Sequence, residues 1–385
     1  MRNPLQNQPW LVQRGFSLIE MMIALALGVI IMLGVTQVAT DNSEIRWELS
    51  RSARQIENAT FALREIESDL MSAGYWGEIG AQELIVDTSN PGDFVLPPVC
   101  PDEIDAIAPQ MAEDDEMLQM MTIPVQGGSE EFACDTVTAD GNSEVSIIPL
   151  AGSDFISVRR ASSCALGEDG CGAANGNFHL QSEACFRAGV DDSALPGVAK
   201  VIAPISATPD LNTVFIHQQR DCDDTASLEA RAPIYRLINR IYYLRSYGDD
   251  EEDRGELMRA DLVADEYIQT PVVEGVEMLR FEYGMDRNGD GQVDDNIDGY
   301  TLEPTTKFED EAPPDEDGFP EGWGDVAMVR IYMMVRNLDP SPGYEDTRDY
   351  TIAGADFSVP TGFENYRRQL YVRTVGLRNV AGRRQ

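Results

Sequence analysis

At 385 residues the chain can build one large or two modest globular units. Its 67 acidic residues against 29 basic ones give a formal net charge of −38, which repels phosphate backbones and anionic headgroups and excludes nucleic-acid binding as a main role of the globular part. Two histidines, and no G-x-S-x-G, Walker, Rossmann or H-E-x-x-H string, leave no base–nucleophile pair, so the chain reads as a non-enzyme.

The amino end carries the sharpest signal. Arg14-Gly15-Phe16-Ser17-Leu18-Ile19-Glu20 opens an apolar run that continues to about Ala39, with Glu20 as its one ionisable side chain. From Phe16 onward the run spans roughly 36 Å as a helix at about 1.5 Å per residue, enough to cross a bilayer core. Arg2 and Arg14 precede it and Asp41 and Glu44 follow, so the positive-inside rule keeps the leader cytoplasmic and sends the remainder outward. A carboxylate near the start of such a helix is expensive in lipid and calls for a dedicated partner. The arrangement resembles a class III, prepilin-type leader. That resemblance implies cleavage between Gly15 and Phe16, N-methylation of Phe16, and retention of Glu20 for assembly, where its carboxylate meets the new α-amine, usually that of a neighbouring subunit. Many major pilins carry a proline in this helix; here none lies between Phe16 and Asp41, and Gly28 and Gly34 are left as points of local melting.

Beyond Asp41 the helical pattern continues. Ile45, Leu49, Ala53, Ile56, Leu63, Ile66 and Leu70 form one apolar stripe, and Gly74 is the expected stop. Residues 78–150 show few sustained patterns. Ser153–Val158 reads as a strand, and 161–230 as a disulfide-pinned, loop-rich insertion. Ile234–Tyr247, Val272–Tyr283, Val326–Arg336 and Arg368–Leu377 read as strands of a C-terminal antiparallel sheet, with the acidic stretch Glu309–Asp317 as an exposed loop. The expected division is a leader (1–15), a transmembrane half-helix (16–40), an amphipathic half-helix (41–77), a variable loop-rich β region with six cysteines (78–230) and a C-terminal antiparallel sheet region (231–385). All six cysteines follow the membrane segment and read as disulfides of an oxidising compartment. Proximity alone pairs Cys164 with Cys171, Cys185 with Cys222, and Cys100 with Cys134.

More than the leader matches a known family. The stretch from Asn58 to Arg64, the run Leu70-Met71-Ser72-Ala73-Gly74-Tyr75-Trp76-Gly77, and Gly152-Ser153-Asp154 resemble PilW-family minor pilins. So do Glu274-Gly275-Val276-Glu277 before Tyr283-Gly284-Met285-Asp286, and the closing Arg367–Leu370 through Leu377–Asn379. The resemblance implies an α+β, type IV pilin-like fold with a long amino-terminal helix packed on antiparallel sheet. It implies a minor pilin that primes filament assembly near the tip, in twitching motility and adhesion. The implied partners are prepilin peptidase, other minor pilins, the major pilin, the inner-membrane assembly platform and, before assembly, membrane lipid. The implied location is the inner membrane, single-pass with a periplasmic C-terminus, then the pilus at the cell surface. A type II secretion minor pseudopilin of the J class shares the same amino-terminal chemistry, and an adhesive tip module is a third role.

Two further segments stand out. Asp286, Asn288, Asp290, Gln292 and Asp294 follow a D-x-N-x-D-G calcium loop, the one cofactor the sequence raises. Its twelfth position is Ile297 rather than a bidentate Glu, and a Gly/Asn/Asp-rich turn explains the same string. Residues 361–385 hold Arg367, Arg368, Arg373, Arg378, Arg383 and Arg384 against Glu364 alone. They read either as internal ion pairs on a strand whose apolar side, Leu370 and Val372, is buried, or as a docking strand for an acidic neighbour.

Overall fold

A single helix, α1 (Leu18–Ser72), opens the computed structural model of the chain. The structure describes residues 17–77, 97–100, 120–129, 136–137, 147, 149–168, 171, 176–182, 200–204, 215–219, 231–247, 254–264, 266–286, 290–293, 299–302, 304 and 322–381. Two units divide the chain, Met1–Ala53 and Arg54–Gln385.

In the first unit α1 is exposed along its apolar span, from Leu18 to Val38. Its hydroxyls turn inward on the helix itself. Thr40 Oγ1 donates to the Thr36 carbonyl at 3.2 Å and Ser43 Oγ to the Ala39 carbonyl at 2.9 Å, while Thr36 does the same to Met32. Polar groups satisfied within their own helix are those a hydrocarbon environment tolerates. This is the one helix among the described residues long and apolar enough to cross a membrane.

In the second unit the buried positions of α1 are Gln55, Ala59, Ala62, Ile66, Asp69 and Leu70. This face differs from the expected stripe. Ile45 and Leu49 are exposed, Ile56 is half exposed at 50%, and of the expected set only Ile66 and Leu70 are fully buried. The inward side joins Ala59 and Ala62 to Ile66 and Leu70 and to the polar Gln55 and Asp69, while Ile56 and Phe61 turn outward. Apolar periodicity located the helix, but the inner face also takes Gln55 and Asp69, which find polar partners there. Gly74, at φ +70°, ends the helix as expected, and its N–H donates to the Arg159 carbonyl at 3.0 Å.

The remaining elements among the described residues are β1 (Val125–Gly128), β2 (Thr136–Val137), β3 (Phe155–Ala165), β4 (Phe178–Ser182) and β5 (Lys200–Pro204). They continue with β6 (Tyr235–Tyr247), β7 (Arg254–Val263), β8 (Glu266–Glu274), β9 (Val276–Met285) and β10 (Tyr300–Thr301). A 3-10 turn (Trp323–Asp325), β11 (Val326–Arg336), β12 (Tyr350–Ile352), β13 (Ala355–Phe357), β14 (Arg368–Gly376) and a short α2 (Arg378–Ala381) complete the order. An eight-stranded sheet runs β1-β3-β6-β7-β8-β2, with β4 on β6 and β5 on β4. A four-stranded sheet runs β10-β9-β11-β14, and β12–β13 form a hairpin. Among the described residues all strand pairings are antiparallel except β2 with β8.

The structure corrects three expectations. The C-terminal strands fall into two sheets rather than one. Val272–Tyr283 is two strands, because Gly275 at φ +85° breaks the run and hands the chain from one sheet to the other. Part of the supposed loop-rich insertion is strand: β3 extends to Ala165, and β4 pairs with β5 through Leu180↔Ile202. The acidic stretch Glu309–Asp317 lies outside the described residues.

One core lies between α1, the inner face of the four-stranded sheet and the adjoining end of the larger sheet, centred on Ile66, Leu70, Tyr242, Phe281, Ile331 and Met333. Each fully buried aliphatic side chain there contributes about 2 kcal/mol. A second core, with Trp76, Phe178, Tyr243, Met258 and Tyr267, lies on the opposite side of the larger sheet. At the handover between sheets the Gly275 N–H donates to the Gly255 carbonyl at 3.0 Å. A Cβ on Gly255 would sit 1.7 Å from the Val276 carbonyl oxygen. Gly255→Ala should therefore lower stability by about 3 kcal/mol. Gly152→Ala, where only the positive φ objects and nothing lies within 4 Å, should cost about 1 kcal/mol. Denaturant midpoints of the two variants check the difference.

Candidate functional site

Ser17 precedes α1, and Glu20 is its third residue, the S-x-x-E spacing of a capping box. The reaching-back half is formed: the Ser17 N–H donates to Glu20 Oε2 at 3.0 Å. The carboxylate also sits at the positive end of the helix dipole. Glu20 is thus held over the helix start, in an otherwise apolar, exposed span, with acceptor capacity left on its two oxygens. Gly15 and Phe16, the expected cleavage pair, lie outside the described residues.

The other end of α1 is fastened by charge. Asp69 is 3% exposed and receives Arg160 Nη2 at 3.1 Å, Arg240 Nη1 at 3.0 Å to both oxygens, and the Tyr242 hydroxyl at 2.5 Å. Arg240 Nε also meets Asp261 at 2.7 Å, and Arg259 bridges Asp261 and Glu65. Burial opposes the Arg240 charge, yet Asp69 and Asp261 hold its pKa above the usual arginine range. Burial and the Asp69 carboxylate both push the Tyr242 phenol up. Two neutral ties add to this: Gln55 Nε2 donates to the Val335 carbonyl at 2.6 Å, and Asn379 Nδ2 to the Ala73 carbonyl at 3.1 Å.

The C-terminal arginines divide by burial. Arg368 is buried and grips Glu277 through Nε at 2.6 Å and Nη2 at 2.9 Å. Arg336, also buried, approaches the same carboxylate at 3.3 Å and stacks on Phe363 and Tyr366. Arg373 pairs with Glu67 on α1 at 2.8 Å, Arg367 lies over the Tyr344 ring at 4.4 Å, and Arg378 is exposed. Arg383 and Arg384 lie outside the described residues. The expected apolar underside of β14 needs correction: Leu370 is half-buried and Val372 is 51% exposed.

In the turn after β9, Asp286 is buried and accepts the Asp290 N–H at 3.1 Å and the Gly291 N–H at 2.8 Å. Asp290 Oδ1 accepts the Gln292 N–H at 2.8 Å. The turn closes on its own amides. Asn288 and Asp294, two further donors of the expected calcium loop, lie outside the described residues. Cys164 and Cys171 form a disulfide with a Cα–Cα distance of 5.8 Å. Glu168 lies against that bridge, which leaves no thiolate there for a metal. Cys100 is also disulfide-bonded, while Cys134, Cys185 and Cys222, and with them the other two expected pairs, lie outside the described residues.

Sequence reasoning missed Gln55, Asp69, Glu277 and Asp346. Only Asp69 left a signal, an acid in phase with the buried side of an amphipathic helix.

Residues 10–36 match the Prokaryotic N-terminal methylation motif, which covers Gly15, Phe16 and Glu20. Residues 241–379 match Type IV Pilus-assembly protein W, a span from mid-β6 through β14. No curated protein and no solved structure matches the chain. A long amino-terminal helix on antiparallel sheets, headed by a methylation motif, defines a pilin-like protein. From residue 241 to 379 the chain is similar to the PilW family of type IV pilus-assembly proteins, a family of structural proteins rather than enzymes.

Asp69→Asn should cost about 3 kcal/mol, because the half-buried Arg160 and Arg240 would both lose the buried carboxylate they share. Chemical denaturation checks the value. Burial raises the Asp346 carboxyl, but bonds from Arg348 and Tyr350 outweigh it and hold the pKa below the usual range. Its contribution to stability is complete above the unfolded value, near pH about 4, and is lost as pH falls through the lower folded value. Asp346→Asn should flatten that acid limb of the stability–pH curve.

Proposed function

We propose that the chain is a minor pilin of the inner membrane, cleaved by prepilin peptidase after Gly15 and methylated on Phe16. It then enters a filament near the tip beside other minor pilins and primes assembly. Glu20 carries this reading: an acid held at the start of an exposed apolar helix, inside a methylation motif. In lipid its charge demands a positive partner, and the α-amine freed at Phe16 of a neighbouring subunit is one of matching sign. Exchange of membrane lipid for that amine turns an anchor into a filament contact. The family supports pilus machinery as the partner and the pilus as the destination.

Mass spectrometry of the mature chain should find an amino end at Phe16 carrying one added methyl group. An untrimmed amino end would overturn the proposal. Glu20→Ala should leave cleavage intact and lower filament incorporation by more than about tenfold, since an unmade charge pair in lipid is worth several kcal/mol. Surface pili and exoprotein secretion are scored together in a strain lacking the chain. Normal pili with lost secretion would assign it to a type II secretion pseudopilus instead.

A further inference from the structure

The four-stranded sheet ends on β14, whose outer edge differs from the other sheet edges among the described residues. β1 has four residues including Gly127 and Gly128, β2 and β10 have two each, and β5 has five ending in Pro204. Short, glycine- or proline-marked edges are how natural sheets avoid pairing with other chains. β14 is longer than any of these, and its one glycine, Gly376, stands at its last position. Its nine residues keep unbroken register with β11, from Met328↔Gly376 to Arg336↔Arg368.

The ladder dictates which groups face out. The Asn337 N–H donates to the Arg367 carbonyl at 3.0 Å and the Leu377 N–H to the Ala327 carbonyl at 2.8 Å. Odd-numbered residues of β14 therefore turn toward β11, and even-numbered ones turn away. The outward carbonyl of Arg368 is taken by Arg348 Nη2 at 3.3 Å. The outward N–H and C=O groups of Leu370, Val372, Thr374 and Gly376 have no partner among the described residues. On the sheet face away from α1, Val372 is 51% exposed and Thr374 is exposed.

Charge selects the occupant. In a chain of net charge −38, no acid follows Glu364, and Arg367, Arg373 and Arg378 lie exposed along this strand and its end. Arginine can itself guard an edge, but Arg373 is turned to Glu67 on α1 and leaves the ladder groups open. A second copy would bring its own −38 and be repelled at long range.

We propose that the outer edge of β14 docks an extended acidic segment of a different polypeptide, which adds as a fifth strand. Main-chain bonds to Leu370–Gly376 supply the adhesion, and the arginines select acidic side chains and steer their approach. The inference stands on the edge alone and does not require the pilus reading.

The test places p-benzoylphenylalanine at Thr374 of the full chain in the cells that produce it, followed by irradiation and mass spectrometry of the adduct. The expected product is a link to an acidic peptide of another protein. Val372→Pro removes one outward N–H and no ladder bond, so it should keep the melting temperature and cut the adduct about fivefold or more. Arg373→Glu with Arg378→Glu should cut it comparably, and this pair decides the matter if the proline variant does not fold. Val372→Thr should leave it unchanged. No adduct, an adduct to lipid, one of twice the chain's mass, or one indifferent to both sets of changes overturns the proposal. Methylation of Phe16 is read in the same cells: an absent adduct with a methylated amino end sinks the edge alone, and an adduct on an unmethylated chain sinks only the pilin reading.

Discussion

Asp69 is the interaction on which the placement of α1 depends. The apolar positions on the inward side of the helix in the globular unit, Ala59, Ala62, Ile66 and Leu70, gain from burial but carry little directional information. A buried carboxylate with two arginines and a tyrosine around it is directional. It is satisfied at one rotation and one axial position of the helix on β3 and β6, and any other setting leaves a charge unpaired. Gln55 donates to the Val335 carbonyl, and Asn379 donates to the Ala73 carbonyl just past the helix, so both flanks of the segment are tied. The apolar positions supply burial and the polar groups supply register.

The same device recurs where the chain changes sheets. Gly275 passes the strand from the larger sheet to the smaller, and two residues later Glu277 takes Arg368 from β14 and Arg336 from β11. Asp346 lies 3.6 Å from the same Arg368. The small sheet is thus closed by charge at the end where β9, β11 and β14 meet, while its inner face is closed by aliphatic packing. One C-terminal arginine is structural cement, and its neighbours on the same strand remain at the surface. Sorting them by charge alone would have treated them as one patch.

Elements with short-range causes were legible in the amino-acid order. The apolar run with Glu20, the glycine stop at Gly74, β6, β11, β14 and the Cys164–Cys171 bridge each rest on neighbours a few residues apart. The failures share a cause as well. β7 alternates too weakly to stand out, and β4 and β5 are short segments that become strands because each has the other to pair with. The break at Gly275 looks like one more residue in a β-rich run until the two halves are seen in different sheets.

From sequence by itself came the membrane-length helix, the acid stranded at its start and the likeness to pilins, since each is a property of local pattern or composition. Tertiary structure alone decided which face of α1 is inside, which acids are buried with partners, and which sheet edge is left open. Those outcomes depend on groups brought together from distant positions, Asp69 with Arg240 or Glu277 with Arg368, and no spacing along the chain encodes such a meeting.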